Sequence, residues 1–206
     1  MPRAAGQIDR AKNEAILDAA SDVIFERGLG APLDEVARRA GVSKQTIYNH
    51  YGSKGDLLRA LIERRSKTIS APLELPGAEA MPVETLAAYA EALLRTIMID
   101  RGVALIRLMI ANAGQDTELA NTALPGGFRG ARHRLTDFLR REASIGRLAI
   151  EDPIQAADFF VGMVVSNHQL EALLGLPPQL TDETVPRIAR EAARVFVRAY
   201  APVTVA

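Results

Sequence analysis

The 206-residue sequence predicts an all-α fold. Apolar residues recur at helical spacing along the whole chain, and no stretch alternates with period two for long enough to make a strand. Glycine and proline fall between the periodic segments, where turns are needed.

The first predicted helix carries Ile16, Ala19, Ala20, Val23 and Ile24 on one stripe, with Lys12, Asp18, Asp22 and Glu26 on its other faces. It stops at Gly28, which Gly30 soon follows. A second helix is read from Leu33 to Ala40, then a turn at Gly41-Val42-Ser43 and a third from Lys44 to about Tyr51. Ser43 suits the N-cap of that third helix, because its hydroxyl can accept from a free first-turn amide. Ser53 caps a fourth, running to about Ser70 with Leu57, Leu58, Leu61 and Ile62 at helical spacing. Pro72–Pro82, with three prolines and a glycine, reads as a linker. Further helices are predicted at 83–100, 102–113, 116–146, 153–174 and 182–201, the third of these broken by Pro125-Gly126-Gly127.

Composition excludes several kinds of chemistry. The chain has no cysteine, which rules out disulfides, thiolate zinc sites and a cysteine nucleophile. Its N-terminus, Met1–Arg10, holds no apolar run of signal-peptide length. Its longest strongly apolar run, Phe159–Leu170, falls far short of the ~20 residues of a membrane span. A cytoplasmic protein without a membrane partner is expected.

With 25 basic against 25 acidic side chains the net charge is zero, which at first argues against a polyanionic partner. The zero is a cancellation. Residues 1–67 hold 12 basic and 9 acidic groups, and the remainder 13 and 16, giving +3 and −3. Val36–Gly55 contains Arg38, Arg39, Lys44 and Lys54 and no acid at all.

That same window has the form of two short helices crossing at a glycine turn. Ala37 supplies the small residue at the crossing, and Val36, Ala40, Val42 and Ile47 close the apolar corner. The outer face of the second helix then presents Lys44, Gln45, Thr46, Tyr48, Asn49 and His50. These are hydrogen-bonding groups without a carboxylate, suited to phosphates and to base edges in a major groove.

The run Ile16–Gly28, followed by Asp34-Glu35-Val36-Ala37-Arg38-Arg39-Ala40-Gly41-Val42-Ser43-Lys44-Gln45-Thr46-Ile47-Tyr48-Asn49-His50-Tyr51-Gly52-Ser53-Lys54-Gly55-Asp56-Leu57, resembles the DNA-binding domain of the TetR/AcrR family of transcriptional regulators. The resemblance covers about residues 9–60. It implies a three-helix DNA-binding domain over residues 1–54 and a helical ligand-binding and dimerisation domain over 55–206. Ser43, Lys44, Gln45, Thr46, Tyr48, Asn49 and His50 are then on or beside the recognition helix. Tyr48, Tyr51 and Lys54 match positions that meet the DNA backbone. Three positions depart from the family pattern. Tyr51 replaces the usual phenylalanine and adds a hydroxyl able to donate to phosphate. Pro32 replaces a capping threonine, and Gly55-Asp56 replaces an acidic pair.

The resemblance also implies a two-fold dimer through the last two helices. Their sequences agree, since Phe159, Phe160, Val161, Met163, Val164 and Val165 wrap more than one face. The final helix carries Val185, Ile188, Ala189, Ala192, Val195, Phe196 and Ala199. Candidate effector contacts are Met98, Arg107, Met109, Ile110, Asn112, His133, Phe138, Phe159, Met163 and Asn167. With so few aromatics, this set suits a small lipophilic or weakly acidic effector better than a cationic one. A repressor released from its operator by such an effector is the expected function, with no cofactor, metal or catalytic residue. Two other readings are an architectural DNA binder without ligand control and a helical enzyme using His133 and His168. The three histidines lack the i, i+4 spacing of a metal pair, and no phosphate-cradling loop or nucleophile elbow is present.

Overall fold

The computed structural model of the chain describes residues 10–99, 101–112, 127–176 and 180–202, and all regular structure among them is helical. Its contacts separate two units: Met1–Arg64 with Arg107–Gly127, and Arg65–Ile106 with Phe128–Ala206.

The first unit begins with α1 (Arg10–Arg27), whose expected stripe is buried together with Leu17. It packs on α2 (Leu33–Ala40), which inserts Leu33, Val36 and Ala37. Gly41 takes φ 66° at the end of α2, and Val42 N donates to Ala37 O across 3.0 Å to close the turn. Next comes α3 (Lys44–Tyr51), held by the fully buried Ile47. The long helix α4 (Lys54–Ser70) follows, and the division between the units falls inside it.

In the second unit, the expected linker Pro72–Pro82 is largely ordered structure. Two 3₁₀ turns, Ala71–Glu74 and Ala78–Ala80, bury Leu73 and Ala78 and pack on α5 (Pro82–Leu94). Thr85 Oγ1 donates to Ala78 O across 2.7 Å, fastening the second turn to the helix. The prolines end α4 as expected, but buried apolar residues between them turn a spacer into packing.

The helix predicted to run to residue 100 changes pitch at Arg95, where α5 gives way to a π-helical turn, Arg95–Ile99. Arg65 Nη2 donates to Thr96 O within this turn. At Gly102, the first residue of α6 (Gly102–Asn112), a Cβ would fall on the carbonyl oxygens of Thr96 and Ile97, so only glycine fits.

The predicted helix 116–146 is described from α7 (Phe128–Ser144) onward; Pro125 and Gly126 lie outside the described residues. Predicted helix 153–174 is two helices, α8 (Pro153–Val165) and α9 (His168–Leu174). Apolar periodicity runs through the junction, but Ser166 adopts φ 46° and ψ −143°, a conformation an α-helix cannot pass through. The last helix, α10 (Thr184–Ala199), packs most extensively on α5.

The centre of this unit is an aromatic row. Tyr89 lies 6.2 Å from Phe160, and Phe160 lies 5.0 Å from Phe196 in an edge-on pair. This packing overturns part of the expected interface. Val185, Ala189, Ala192 and Phe196 on α10 are buried within the chain itself, as are Phe160, Val164 and Val165 on α8. Periodicity identifies a face that must be covered without saying which chain covers it. Of the expected set, Phe159 and Met163 on α8 and Val195 and Ala199 on α10 stay outward.

Another buried group lies at the C-terminal end of α7. Glu142 is fully buried, neither carboxylate oxygen has a hydrogen-bond partner among the described residues, and Arg147 Nη1 stands 3.5 Å away. Burial raises the Glu142 pKa above its ordinary 4.5, outweighing the opposing pull of Arg147.

Candidate nucleic-acid interface

The exposed side of α3 is positioned by two hydroxyl caps. Ser43 Oγ accepts from Thr46 N across 3.0 Å and fixes the start of α3. Ser53 Oγ accepts from Asp56 N across 3.1 Å and donates to Asp56 Oδ2 across 2.6 Å, which fixes the start of α4. At α2, Pro32 offers no side-chain cap; Asp34 and Glu35 in its first turn suit the positive end of the helix instead.

Ser43, Lys44, Gln45, Tyr48, Asn49 and His50 are exposed, Thr46 and Tyr51 are half-buried, and Ile47 anchors the opposite side. Gln45 Nε2 donates to Asn49 Oδ1 across 2.7 Å, joining two amides one helical turn apart. Tyr48 shows its ring to solvent. His50 and Tyr51 turn the other way, to Asn13 on α1: Nε2 of His50 is 3.2 Å and the Tyr51 hydroxyl 2.6 Å from Asn13 Oδ1. The Tyr51 hydroxyl expected to serve a phosphate therefore donates within the protein. Burial pushes its pKa up to about 12.

Three of the four cations of the acid-free window are paired with acids. Arg38 bonds Glu35, Arg39 bonds both Glu26 and Glu35, and Lys44 Nζ reaches Asp34 Oδ2 across 2.8 Å. Hydrogen bonds from Arg38 and then Arg39 hold the Glu35 carboxyl down to about 2. Acids placed just before the window answer the basic residues within it, a pairing that a count confined to the window misses. Lys54 has no such partner among the described residues; it is half-buried, and that burial lowers its pKa.

The expected effector contacts fall on several helices. Met98 belongs to the π turn and is half-buried, while Arg107 and Ile110 are exposed and Met109 half-buried on α6. The Asn112 side chain lies outside the described residues. Phe138 is wholly buried in the α7 core, and Asn167 is exposed beside the Ser166 break. His133 stands on the surface of α7, 3.6 Å from Asp137, and His168 opens α9 half-buried. Among the described residues, no group of three or more His, Asp and Glu is placed to hold a metal, and no helix is long and apolar enough to cross a membrane.

Residues 16–61 match the family model for bacterial regulatory proteins of the tetR family. Residues 84–202 match the C-terminal domain of AefR-like transcriptional repressors. The chain belongs to the TetR family of transcriptional regulators. Within the family, it is 48% identical over 50 residues to the HTH-type transcriptional activator FasR of Mycolicibacterium smegmatis, a match spanning 24% of this chain and 23% of FasR. A TetR regulator from Agrobacterium tumefaciens shares its fold at TM-score 0.73 and 26% identity, covering 94% of this chain and 96% of that one. The Flavonoid-responsive Regulator FrrA superposes at TM-score 0.69 with 28% identity, over 94% of this chain and 98% of FrrA. This TetR-family regulator thus shares its fold with solved family structures over 94% of its length, and matches FasR over 50 residues.

Proposed function

We propose that the protein is a homodimeric, cytoplasmic repressor that covers a promoter operator and leaves it when a small lipophilic or weakly acidic effector binds. The observation that carries the DNA reading is the outer face of α3: Ser43, Lys44, Gln45, Thr46, Tyr48 and Asn49 line a capped helix that bears no carboxylate. Gln45 and Asn49 read base edges, and Lys54 meets the backbone from the start of α4. His50 and Tyr51 contribute by holding α3 on α1. Residues 1–54 act as the reading domain and 55–206 as the regulatory one.

Dimerisation uses the outward side of α8 and α10, where Phe159, Met163 and Val195 are exposed. A two-fold dimer presents its α3 helices to half-sites about one turn of DNA apart, roughly 34–36 Å. Repression is supported by the AefR-like repressor match, although FasR is an activator. Control by a small molecule is supported by FrrA, which is flavonoid-responsive.

The test is a fluorescence titration of the full chain against the DNA flanking its own gene, beside a scrambled duplex, over a range of salt. Tight binding to the flanking DNA alone is expected. Equal affinity for the scrambled duplex would leave an architectural binder, and no binding at any salt would end the DNA reading.

A further inference from the structure

Lys44 occupies the first position of α3, the end of a helix where amide donors are free and the macrodipole is positive. A cation there works against the helix it begins. Its ammonium is answered by Asp34 on α2, with Nζ and Oδ2 2.8 Å apart and both side chains about half exposed or more. Asp34 itself sits in the first turn of α2, where a carboxylate is favoured. The pair is thus anchored on its acidic side and costly on its basic side, the pattern expected when a residue is placed for something other than stability.

Both cations of the α2 C-terminus are bound to acids away from α3: Arg38 to Glu35, and Arg39 to Glu26 and Glu35. Among the described residues, the Lys44–Asp34 pair alone crosses from α2 to the exposed face of α3. We propose that Asp34 competes with DNA phosphate for the Lys44 ammonium, so that docking exchanges one acidic partner for the other and Asp34 sets how tightly the protein holds DNA of any sequence. The inference rests on the DNA-binding reading above. An exposed carboxylate is a weak enough partner for the exchange to proceed. It is also strong enough to lower the affinity for sequences where the phosphate is all the protein gains.

A double-mutant cycle tests this: wild type, Asp34→Asn, Lys44→Gln and the double variant, titrated with a random-sequence duplex of about two helical turns at several salt concentrations. Asp34→Asn should tighten binding about twofold to fivefold, the range an exposed ion pair carries. Lys44→Gln should weaken binding and flatten the salt dependence by about one unit. In the Lys44→Gln background, Asp34→Asn should gain nothing. A gain of the same size in both backgrounds would mean that Asp34 merely repels DNA, and would overturn the exchange. An unchanged salt slope in Lys44→Gln would overturn it too, because Lys44 then never reaches a phosphate. Absence of binding by all four proteins would instead remove the DNA reading, and the exchange with it. In the free protein, Lys44 should titrate lower in Asp34→Asn than in wild type, since Asp34 raises its pKa; an identical titration would dismiss the pair.

Discussion

Tyr51 donates its hydroxyl proton to Asn13 Oδ1 across 2.6 Å, so the last residue of α3 is tied to the first turn of α1. Replacing Tyr51 by Phe should cost about 1 kcal/mol in urea denaturation at neutral pH, the net worth of such a bond. The folded pKa of Tyr51 is about 12 against an ordinary 10. Stability from the neutral phenol is therefore complete below pH 10 and lost as pH rises through the folded value. Part of the alkaline loss of stability should vanish in Tyr51→Phe. An unaltered alkaline limb would place the hydroxyl in solvent.

Gln45 and Asn49 bond each other at 2.7 Å, and an amide side chain of either kind can read adenine bidentately. Each Ala substitution should cost about 1–3 kcal/mol at the preferred operator and change the preferred base. Because each residue orients the other, the double variant should cost less than the two singles together by at least about 0.5 kcal/mol. Binding measured across a set of single-base operator variants decides between this and two independent readers.

Glu142 gives a signature at the acid side. Its pKa is raised by burial, so its contribution to stability is complete below the ordinary value of 4.5 and falls away as pH rises through the folded value. Glu142→Gln does not titrate. Urea midpoints compared at mildly acidic and neutral pH should show the variant gaining on the wild type as pH rises. A constant difference would mean that the carboxylate finds solvent.

Two backbone positions should respond in opposite directions. Gly102→Ala forces a methyl group onto the Thr96 and Ile97 carbonyls and should lose about 1–3 kcal/mol. Ser166→Gly relaxes a conformation that only glycine adopts easily and should gain about 1 kcal/mol. Thermal denaturation of the two variants beside wild type measures both; stabilisation by Gly102→Ala would mean that the π turn can open to admit it.

The helices, their caps at Ser43 and Ser53, and the inward set around Ile47 were legible because each depends on residues close in sequence. Long-range choices were not. Asn13 claims Tyr51 from 38 positions away, and Asp34 claims Lys44 across the turn. The α10 stripe shows the limit most clearly, since Phe196 reads as apolar whether it meets Phe160 of its own chain or another molecule. Ser166 left no signal, because serine is ordinary within a helix and the surrounding periodicity continues past it.

An unbroken helix advances about 100° per residue, so positions eleven apart come back to nearly the same side. Phe159 and Leu170 are such a pair, and both are exposed, but Ser166 lies between them and resets the phase of the chain. What would be one helical ridge is thereby divided between α8 and α9. Changes that reshape the Phe159 side need not be matched on the Leu170 side, and over evolutionary time each can drift toward its own use.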